Sequence, residues 1–134
     1  MSSLPNSNGR IAEEWLGRAA WRHSTGVRVW EETGDTKEAV RDFASAAELA
    51  LKAVYIKLGS LFPRTHNVWE LVEECPEPTA RLAVEGYPEQ FVKDFSRNYL
   101  APYVRARPVP EAEVDECRRF SERILEWAEG LIAA

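Results

Sequence analysis

Residues 36–58 read TKEAVRDFASAAELALKAVYIKL, a stretch that contains neither proline nor glycine. Apolar side chains recur along it at steps of three and four, which is the spacing of one face of an α-helix. That face consists of Phe43, Ala47, Ala50, Val54 and Leu58. The next residue is Gly59, and glycine commonly ends a helix in the left-handed conformation. The stretch predicts a helix from about Thr36 to Leu58.

A second long helix is predicted before this one, from about Arg10 to Glu32. Gly34 favours a left-handed helix stop, and Asp35 with Glu38 is a capping-box pattern for the start of the next helix. Small and apolar residues recur along the first helix at the same spacing: Ala12, Leu16, Ala19, His23, Gly26 and Trp30. Because small residues occur on both faces, the two helices can approach closely as an antiparallel pair.

Prolines occur more often between residues 63 and 88 than in the region of the two long helices. Two short helices are predicted in it, around Val68–Glu74 and around Thr79–Glu85. Asn67 is a suitable cap for the first of them, because an asparagine side chain accepts hydrogen bonds from the first backbone N–H groups of a helix.

Two further helices complete the prediction. Pro88 suits the first turn of a helix that Pro102 kinks or ends, and the last helix follows Pro110. No segment alternates with the period of two that marks a β-strand. The sequence therefore predicts an all-α, up-and-down helical bundle of four to five main helices with short connecting helices. Residues 1–9 are expected to be a flexible N-terminal tail, and residues 10–134 a single helical domain.

The composition is that of a soluble globular protein, since 45% of the 134 residues are hydrophobic and 29% are charged. This balance excludes disordered and fibrous classes. No window approaches the ~18 uncharged apolar residues of a membrane helix, and the polar start of the chain does not resemble a signal peptide. A cytoplasmic location is expected, and in that setting Cys75 and Cys117 are expected to be reduced core cysteines.

Common signatures of catalysis and metal binding are missing from the sequence. The chain has no phosphate loop, no dinucleotide-binding motif and no His-Glu-x-x-His motif. Two histidines and two separated cysteines do not make a zinc site without carboxylates. His23, on the apolar face of the first helix, is expected to be a satisfied core or interface histidine. Neither a metal nor a cofactor is predicted.

The formal net charge of −5 hides two acid-free stretches, residues 52–67 and residues 95–110, with a charge of +3 each. Their basic residues are Lys52, Lys57 and Arg64 in the first stretch, and Arg97, Arg105 and Arg107 in the second. If the two stretches meet in space, they form a basic, aromatic-lined pocket suited to phosphate or nucleotide. The alternative is two separate, solvated surface patches.

Four motifs in the chain resemble those of one family. Residues 14–16 read EWL and are followed by Ala19, residues 42–54, DFASAAELALKAV, contain Ala-x-Glu-x-x-Leu-Lys-Ala, residues 63–67 read PRTHN, and residues 103–107 read YVRAR. In this order they resemble the HEPN domain family (higher eukaryotes and prokaryotes nucleotide-binding). Its members carry that helix motif, a Pro-x-Thr-His-Asp-like turn, and Tyr-Ile-Pro-Thr-Arg-Tyr-Pro before the last helix. The resemblance extends from about Ile11 to Leu131.

The resemblance implies a helical bundle that forms a homodimer. Stand-alone prokaryotic members are often partnered with a minimal nucleotidyltransferase, frequently as a toxin–antitoxin pair. Other members are metal-independent ribonucleases with an Arg-x(4–6)-His motif late in the domain. Here Arg97 begins like that motif, but residues 102–104 hold Pro-Tyr-Val where the histidine would fall. The match from Arg18 to His23 lies in the first helix, with the two side chains roughly 140° apart.

Three functions therefore stay open. The first is a non-catalytic nucleotide-binding protein that dimerises and serves a separately encoded nucleotidyltransferase, the second is a ribonuclease toxin with a degenerate site, and the third is a structural oligomerisation scaffold. In the second, Arg97 or Arg107 acts with His66. The residues predicted to bind nucleotide, RNA or phosphate are Lys52, Arg64, His66, Arg97, Tyr103, Arg105 and Arg107. Lys52 and His66 also have other interpretations. Lys52 lies four residues after Glu48 and is expected to form an intrahelical ion pair with it. His66 either binds ligand or caps its turn.

Overall fold

The computed structural model describes residues 7–133, and over that range the protein is all-α. No β-strand occurs between residues 7 and 133, so the predicted fold class is confirmed. A 3-10 turn (Ser96–Leu100) separates the fifth and sixth of the α-helices, which are α1 (Ser7–Thr33), α2 (Thr36–Lys57), α3 (Val68–Glu73), α4 (Ala80–Ala83), α5 (Glu89–Phe95), α6 (Ala101–Val104) and α7 (Glu111–Ile132).

The junction between α1 and α2 follows from local sequence signals. Gly34 has a φ of 69°, and its N–H donates to the Trp30 carbonyl at 3.0 Å. The Asp35 carboxylate then accepts from the backbone N–H of Glu38 at 3.1 Å and caps α2. Because the connection is so short, the two helices run antiparallel and pack along their length. The predicted helix stop and helix start are both confirmed.

The start of α1 lies earlier in the chain than the sequence predicted. α1 already begins at Ser7, so residues 7–9, predicted as part of a flexible tail, are helical. The rest of that predicted tail, residues 1–6, lies outside the described residues.

Small residues bring α1 and α2 close together. Ala12, Ala19 and Gly26 are the buried residues of α1, and all three belong to the predicted face. At Gly26, the ring of Phe43 and the Ala39 carbonyl approach so closely that an added Cβ would lie 2.8 Å from the ring edge and 3.1 Å from the oxygen. The predicted face of α2 is buried except for Leu58, which is exposed past the end of the helix.

The last helix, α7, packs against both α1 and α2 and completes the core. Phe120 is fully buried at the centre of an aromatic cluster and lies 4.6 Å from Phe95, ring centroid to ring centroid. His23 hydrogen-bonds through Nδ1 to Ser121 Oγ at 3.0 Å, and burial lowers the pKa of its imidazole. His23 is therefore a satisfied interface histidine, as predicted.

The two cysteines do not pair with each other in the structure, and of the two predicted core cysteines Cys117 is buried whereas Cys75 is only partly buried. Cys117 is a buried residue of α7, and burial raises its pKa to about 12. Cys117 is therefore a buried member of the core.

The segment between Pro88 and Pro110 differs from the predicted single helix. α5 ends at Phe95, a 3-10 turn follows, and α6 begins at Ala101. Pro102 has no N–H to donate to the carbonyl four residues earlier, and its ring crowds that carbonyl. Ser96, where the change begins, accepts a hydrogen bond at Oγ from the Val68 N–H at 2.8 Å, which ties this turn to the start of α3. The result is a short, irregular wall, residues 96–104, that packs on α2.

Candidate functional site

α2 carries a strip of polar residues that the neighbouring helices leave partly open. The strip runs at steps of four, three and four, so its residues share one helix face. Its members are Arg41, Ser45, Glu48 and Lys52. Tyrosines of the wall formed by residues 96–104 reach this strip at Arg41, and Arg22 of α1 reaches the adjacent Asp42.

At one end of the strip, Glu48 holds two of the predicted site residues together. Its Oε2 accepts from Lys52 Nζ at 2.8 Å and from His66 Nδ1 at 2.8 Å. The Lys52 side chain is only 10% exposed and its ammonium lies 5.0 Å from the centre of the Phe62 ring, whereas the His66 side chain is 87% exposed. The predicted Glu48–Lys52 ion pair is confirmed, and the same carboxylate orients His66 with Nε2 left for solvent or a ligand.

At the other end, Arg41 lies between two tyrosines of the 96–104 wall. Its guanidinium carbon is 5.0 Å from the ring centre of Tyr99 and 5.2 Å from that of Tyr103, and Nη1 donates to the Tyr103 hydroxyl at 3.0 Å. A hydrogen bond with the Tyr99 hydroxyl, and to a smaller extent the interaction with Tyr103, raises the pKa of Arg41 above its ordinary value. The Tyr103 ring is 69% exposed, so this pair offers a fixed charge beside an open aromatic face.

The contacts around Arg41 extend to α1 through the adjacent residue, Asp42. Asp42 is buried beside Arg41, and its Oδ1 lies 3.7 Å from Arg22 Nη1. Burial raises the pKa of the Asp42 carboxyl, and the charge of Arg22 partly offsets this effect. Arg22 in turn lies 5.5 Å from the ring centre of Trp21, which is exposed. Asp42 thus links Trp21 and Arg22 of α1 to Arg41 of α2 and, through Arg41, to Tyr103 of α6. We refer to these two arginines and two aromatic residues as the arginine–aromatic row.

Sequence reasoning missed most of this row. Residues 15–30 form a third acid-free stretch, with a charge of +3 and three tryptophans, which the criterion used for the other two stretches would have found. Arg41 gave no such signal, because Glu38 and Asp42 flank it in the sequence. Its position on the same helix face as Lys52, three turns away, was the available clue.

The loop after α6 is tied to the start of α2. Lys37 Nζ donates to the Arg105 carbonyl at 2.7 Å, and the Val109 N–H donates to Thr36 Oγ1 at 2.8 Å. The Arg105 guanidinium is held by both carboxylate oxygens of Glu113, at 3.3 and 3.2 Å. Arg107 is exposed, and it makes no hydrogen bond or ion pair with any residue from 7 to 133.

The two predicted basic stretches meet at one groove. His66 from the first and Arg97 from the second line a groove of about 640 Å³ together with Trp69 and Lys93. The groove also contains three carboxylates, Glu70, Glu73 and Asp94, and Arg97 lies 3.4 Å from Asp94. It is therefore a pocket of mixed charge and not the purely basic pocket that the two stretches would have formed by themselves. Arg64 is exposed in the loop before α3, outside the groove lining.

The Arg18–His23 motif match, metal binding and membrane spanning can each be checked against the structure. Arg18 lies over the Trp15 ring, at 5.9 Å, whereas His23 of the same motif match binds Ser121 in the core, so the two do not form a site. Within residues 7–133, no group of three or more His, Cys, Asp and Glu side chains is arranged to hold a metal ion. None of the helices in that range combines the length and apolar character needed to cross a bilayer.

The chain belongs to the class of small all-α helical-bundle domains, and one polar helix face carries arginines, exposed aromatic rings and a carboxylate-bound histidine. Within that class the chain belongs to the HEPN domain family, because the family model for the HEPN domain matches residues 12–131. Comparison with curated proteins and with solved structures gives no match. Membership of the HEPN family indicates a nucleotide- or RNA-related function.

Proposed function

We propose that this HEPN protein is a non-catalytic nucleotide-binding subunit. It acts in the cytoplasm as a homodimer and presents a nucleotide or an RNA end to a separately encoded minimal nucleotidyltransferase, as one half of a toxin–antitoxin-like pair. The observation that carries the nucleotide-binding part is the arginine–aromatic row, in which Arg41 lies between Tyr99 and Tyr103. The dimer and the nucleotidyltransferase partner rest on the family resemblance.

The row has donors left for a phosphate. Arg41 and Glu38 are 3.8 Å apart, and Arg22 and Asp42 are 3.7 Å apart, so both ion pairs are longer than a hydrogen bond. The Arg41–Glu38 pair is partly exposed on both sides and holds its partners weakly, whereas Asp42 of the other pair is buried. A phosphate that binds a guanidinium through two parallel N–H donors forms the stronger, bidentate contact. Arg22 and Arg41 can therefore exchange these carboxylate contacts for a ligand phosphate.

The rings beside these arginines supply the rest of a nucleotide site. The exposed face of Tyr103 can stack on a base, an interaction that every base offers because each has a π-face. Arg41 and Lys52 lie about 16 Å apart along α2, from the rise of 1.5 Å per residue. This strip is long enough for a base at the Tyr103 end and for a phosphate chain that extends toward His66.

Calorimetry tests this proposal directly. Purified protein is titrated with ATP, GTP, CTP and UTP, alone and together with a separately encoded minimal nucleotidyltransferase that co-purifies with it. Binding of at least one nucleoside triphosphate supports the proposal. If none of the four binds in either state, the nucleotide-binding function is ruled out.

One observation favours the ribonuclease alternative. His66 and Arg97, which sequence reasoning paired as a degenerate site, line the same groove, and Glu48 orients the imidazole. We expect no cleavage when purified protein is incubated with mixed RNA in EDTA. Metal-independent cleavage that disappears in both Arg97→Ala and His66→Ala, but persists in Arg28→Ala, would establish the ribonuclease instead. Arg28 is a suitable control because it is an exposed arginine on α1, outside the groove.

A further inference from the structure

A second concave surface lies where α3, α4 and the start of α5 meet, away from the arginine–aromatic row. It is a cleft of about 260 Å³ whose apolar lining comes from Trp69, Val72, Leu82, Val84 and Tyr87. Leu82 is 57% exposed although it belongs to a helix that packs on the core. The volume lies below the about 300–1,000 Å³ typical of small-molecule pockets. The cleft therefore fits one or two protein side chains better than a cofactor.

The cleft wall formed by α4 is held in place from behind. Arg123 of α7 donates from Nη2 to the Leu82 carbonyl at 3.0 Å, and Trp127 Nε1 donates to Thr79 Oγ1 at 3.0 Å. Both bonds join α4 to the long helix α7. The cleft is therefore preformed, and filling it requires no rearrangement of the core.

The surface around the cleft is the most acidic part of the chain. Residues 70–89 contain six glutamates and one arginine, a charge of −5 that equals the net charge of the whole protein. Three of the glutamates, Glu73, Glu85 and Glu89, line the cleft with Arg81. Among residues 7–133, the carboxylates of Glu73 and Glu85 have no hydrogen-bond or ion-pair partner.

One contact within the chain shows how this surface accepts a cation. Lys93 Nζ lies 5.5 Å from the centre of the Trp69 ring and 2.9 Å from Glu89 Oε2. An ammonium is thus held between an aromatic face and a carboxylate at the edge of the cleft, which combines a cation–π contact with an ion pair. Nucleic acid is a poor occupant, because its phosphates would meet the −5 charge of residues 70–89.

We propose that this cleft docks a basic amphipathic segment of a partner protein. An aliphatic side chain of that segment enters the cleft beside Leu82, and its Lys or Arg side chains pair with Glu73 and Glu85. The cleft contains no residue of the arginine–aromatic row, so the protein can hold a partner while a nucleotide binds at that row. Trp69 and Glu73 line both the cleft and the groove that contains His66 and Arg97. The charge complementarity makes the association fall with rising salt.

The test uses two fluorescein-labelled helical peptides of about five turns, one with leucine on one face and lysine on the other, and its counterpart with glutamate for lysine. We expect the basic peptide to bind in fluorescence anisotropy and the acidic one not to bind. Leu82→Asp and the double variant Glu73→Lys/Glu85→Lys should each weaken binding by about tenfold or more, as substitutions at the centre of an interface do. Leu61→Asp and Glu129→Lys should change it less than about twofold, as expected away from the contact.

These variants also separate the proposal from its alternatives. Leu61 is a matched control, since it is 98% exposed and lies outside the cleft. Circular dichroism confirms that each variant is folded. The proposal is overturned if the basic peptide does not bind, or if Leu82→Asp binds it as well as the unchanged protein does. It is also overturned if sedimentation shows a dimer that Leu82→Asp converts to monomer, because the occupant is then a second copy of this chain.

Discussion

Gly26→Ala is expected to lower the free energy of unfolding by about 1–3 kcal/mol, the usual cost of overpacking a core. The new methyl group would lie 2.8 Å from Phe43 Cε1 and 3.1 Å from the Ala39 carbonyl oxygen. Phe43 is fully buried and cannot swing away, and the second contact is to backbone. The helices α1 and α2 must therefore separate slightly, which loosens the largest contact in the bundle.

A matched control lies two and a half turns earlier in the same helix. A methyl group added at Gly17 would have no atom within 4 Å, so Gly17→Ala adds only helix propensity. It should raise stability by about 0.5–1 kcal/mol. For a chain of this length, 1 kcal/mol corresponds to about 4 °C in Tm. In urea and thermal denaturation, the free energy of unfolding and the Tm should therefore fall for Gly26→Ala and rise for Gly17→Ala. Equal shifts in the two variants would show that α1 and α2 do not approach closely at Gly26.

The α1–α2 pair could be predicted because its signals are local. The spacing on each face, Gly34 with positive φ and the Asp35 cap all lie within a few residues of the feature they determine. The segment after Pro88 could not be predicted in the same way. The turn at Ser96 depends on a hydrogen bond to the Val68 N–H, and a contact between residues 28 positions apart leaves no mark in local spacing.

The candidate site follows the same division between local and distant contacts. The Glu48–Lys52 ion pair was predictable from its spacing of four. That His66 joins the same carboxylate, and that Arg97 lies in one groove with His66, depends on how α3 and α5 pack. Acid-free stretches identified this groove but not the pairing of Arg41 with Tyr103, which are 62 positions apart. Charge counts in sequence therefore find basic segments, but only the fold decides which arginines keep free donors.

Two surfaces of opposite character explain how an acidic protein can serve an anionic ligand. The negative charge is concentrated in residues 70–89, around the cleft of α3 and α4. The arginines of the row lie on α1 and α2, and α2 contacts α3 at Tyr55, near its C-terminal end, where the Tyr55 hydroxyl donates to the Leu71 carbonyl. Charges farther apart than about 8–10 Å are largely screened at physiological salt. The charge that a phosphate meets at the row is therefore set mainly by the neighbouring groups, which are Arg22, Arg41, Glu38 and Asp42.

Arg41→Glu is expected to weaken the binding of a nucleoside triphosphate by about 100-fold, equivalent to about 2.7 kcal/mol. The substitution removes the guanidinium between Tyr99 and Tyr103 and places a carboxylate where the phosphate should bind. Tyr103→Ala should cost about tenfold, the lower end of what one base–aromatic stack contributes. Tyr103→Phe keeps the ring face and should bind nearly as well as the unchanged protein. Calorimetry with the tightest-binding nucleotide measures all three.

The control for charge alone is Arg28→Glu. Arg28 is exposed on α1, and it forms no hydrogen bond or ion pair with any residue from 7 to 133. Both substitutions change the net charge by the same amount, so a general electrostatic effect would weaken binding equally in the two variants. A loss confined to Arg41→Glu means that the phosphate is bound by a guanidinium held in a defined position. If Arg41→Glu binds as tightly as Arg28→Glu, the nucleotide lies elsewhere, and the groove that contains His66 and Arg97 becomes the site to test.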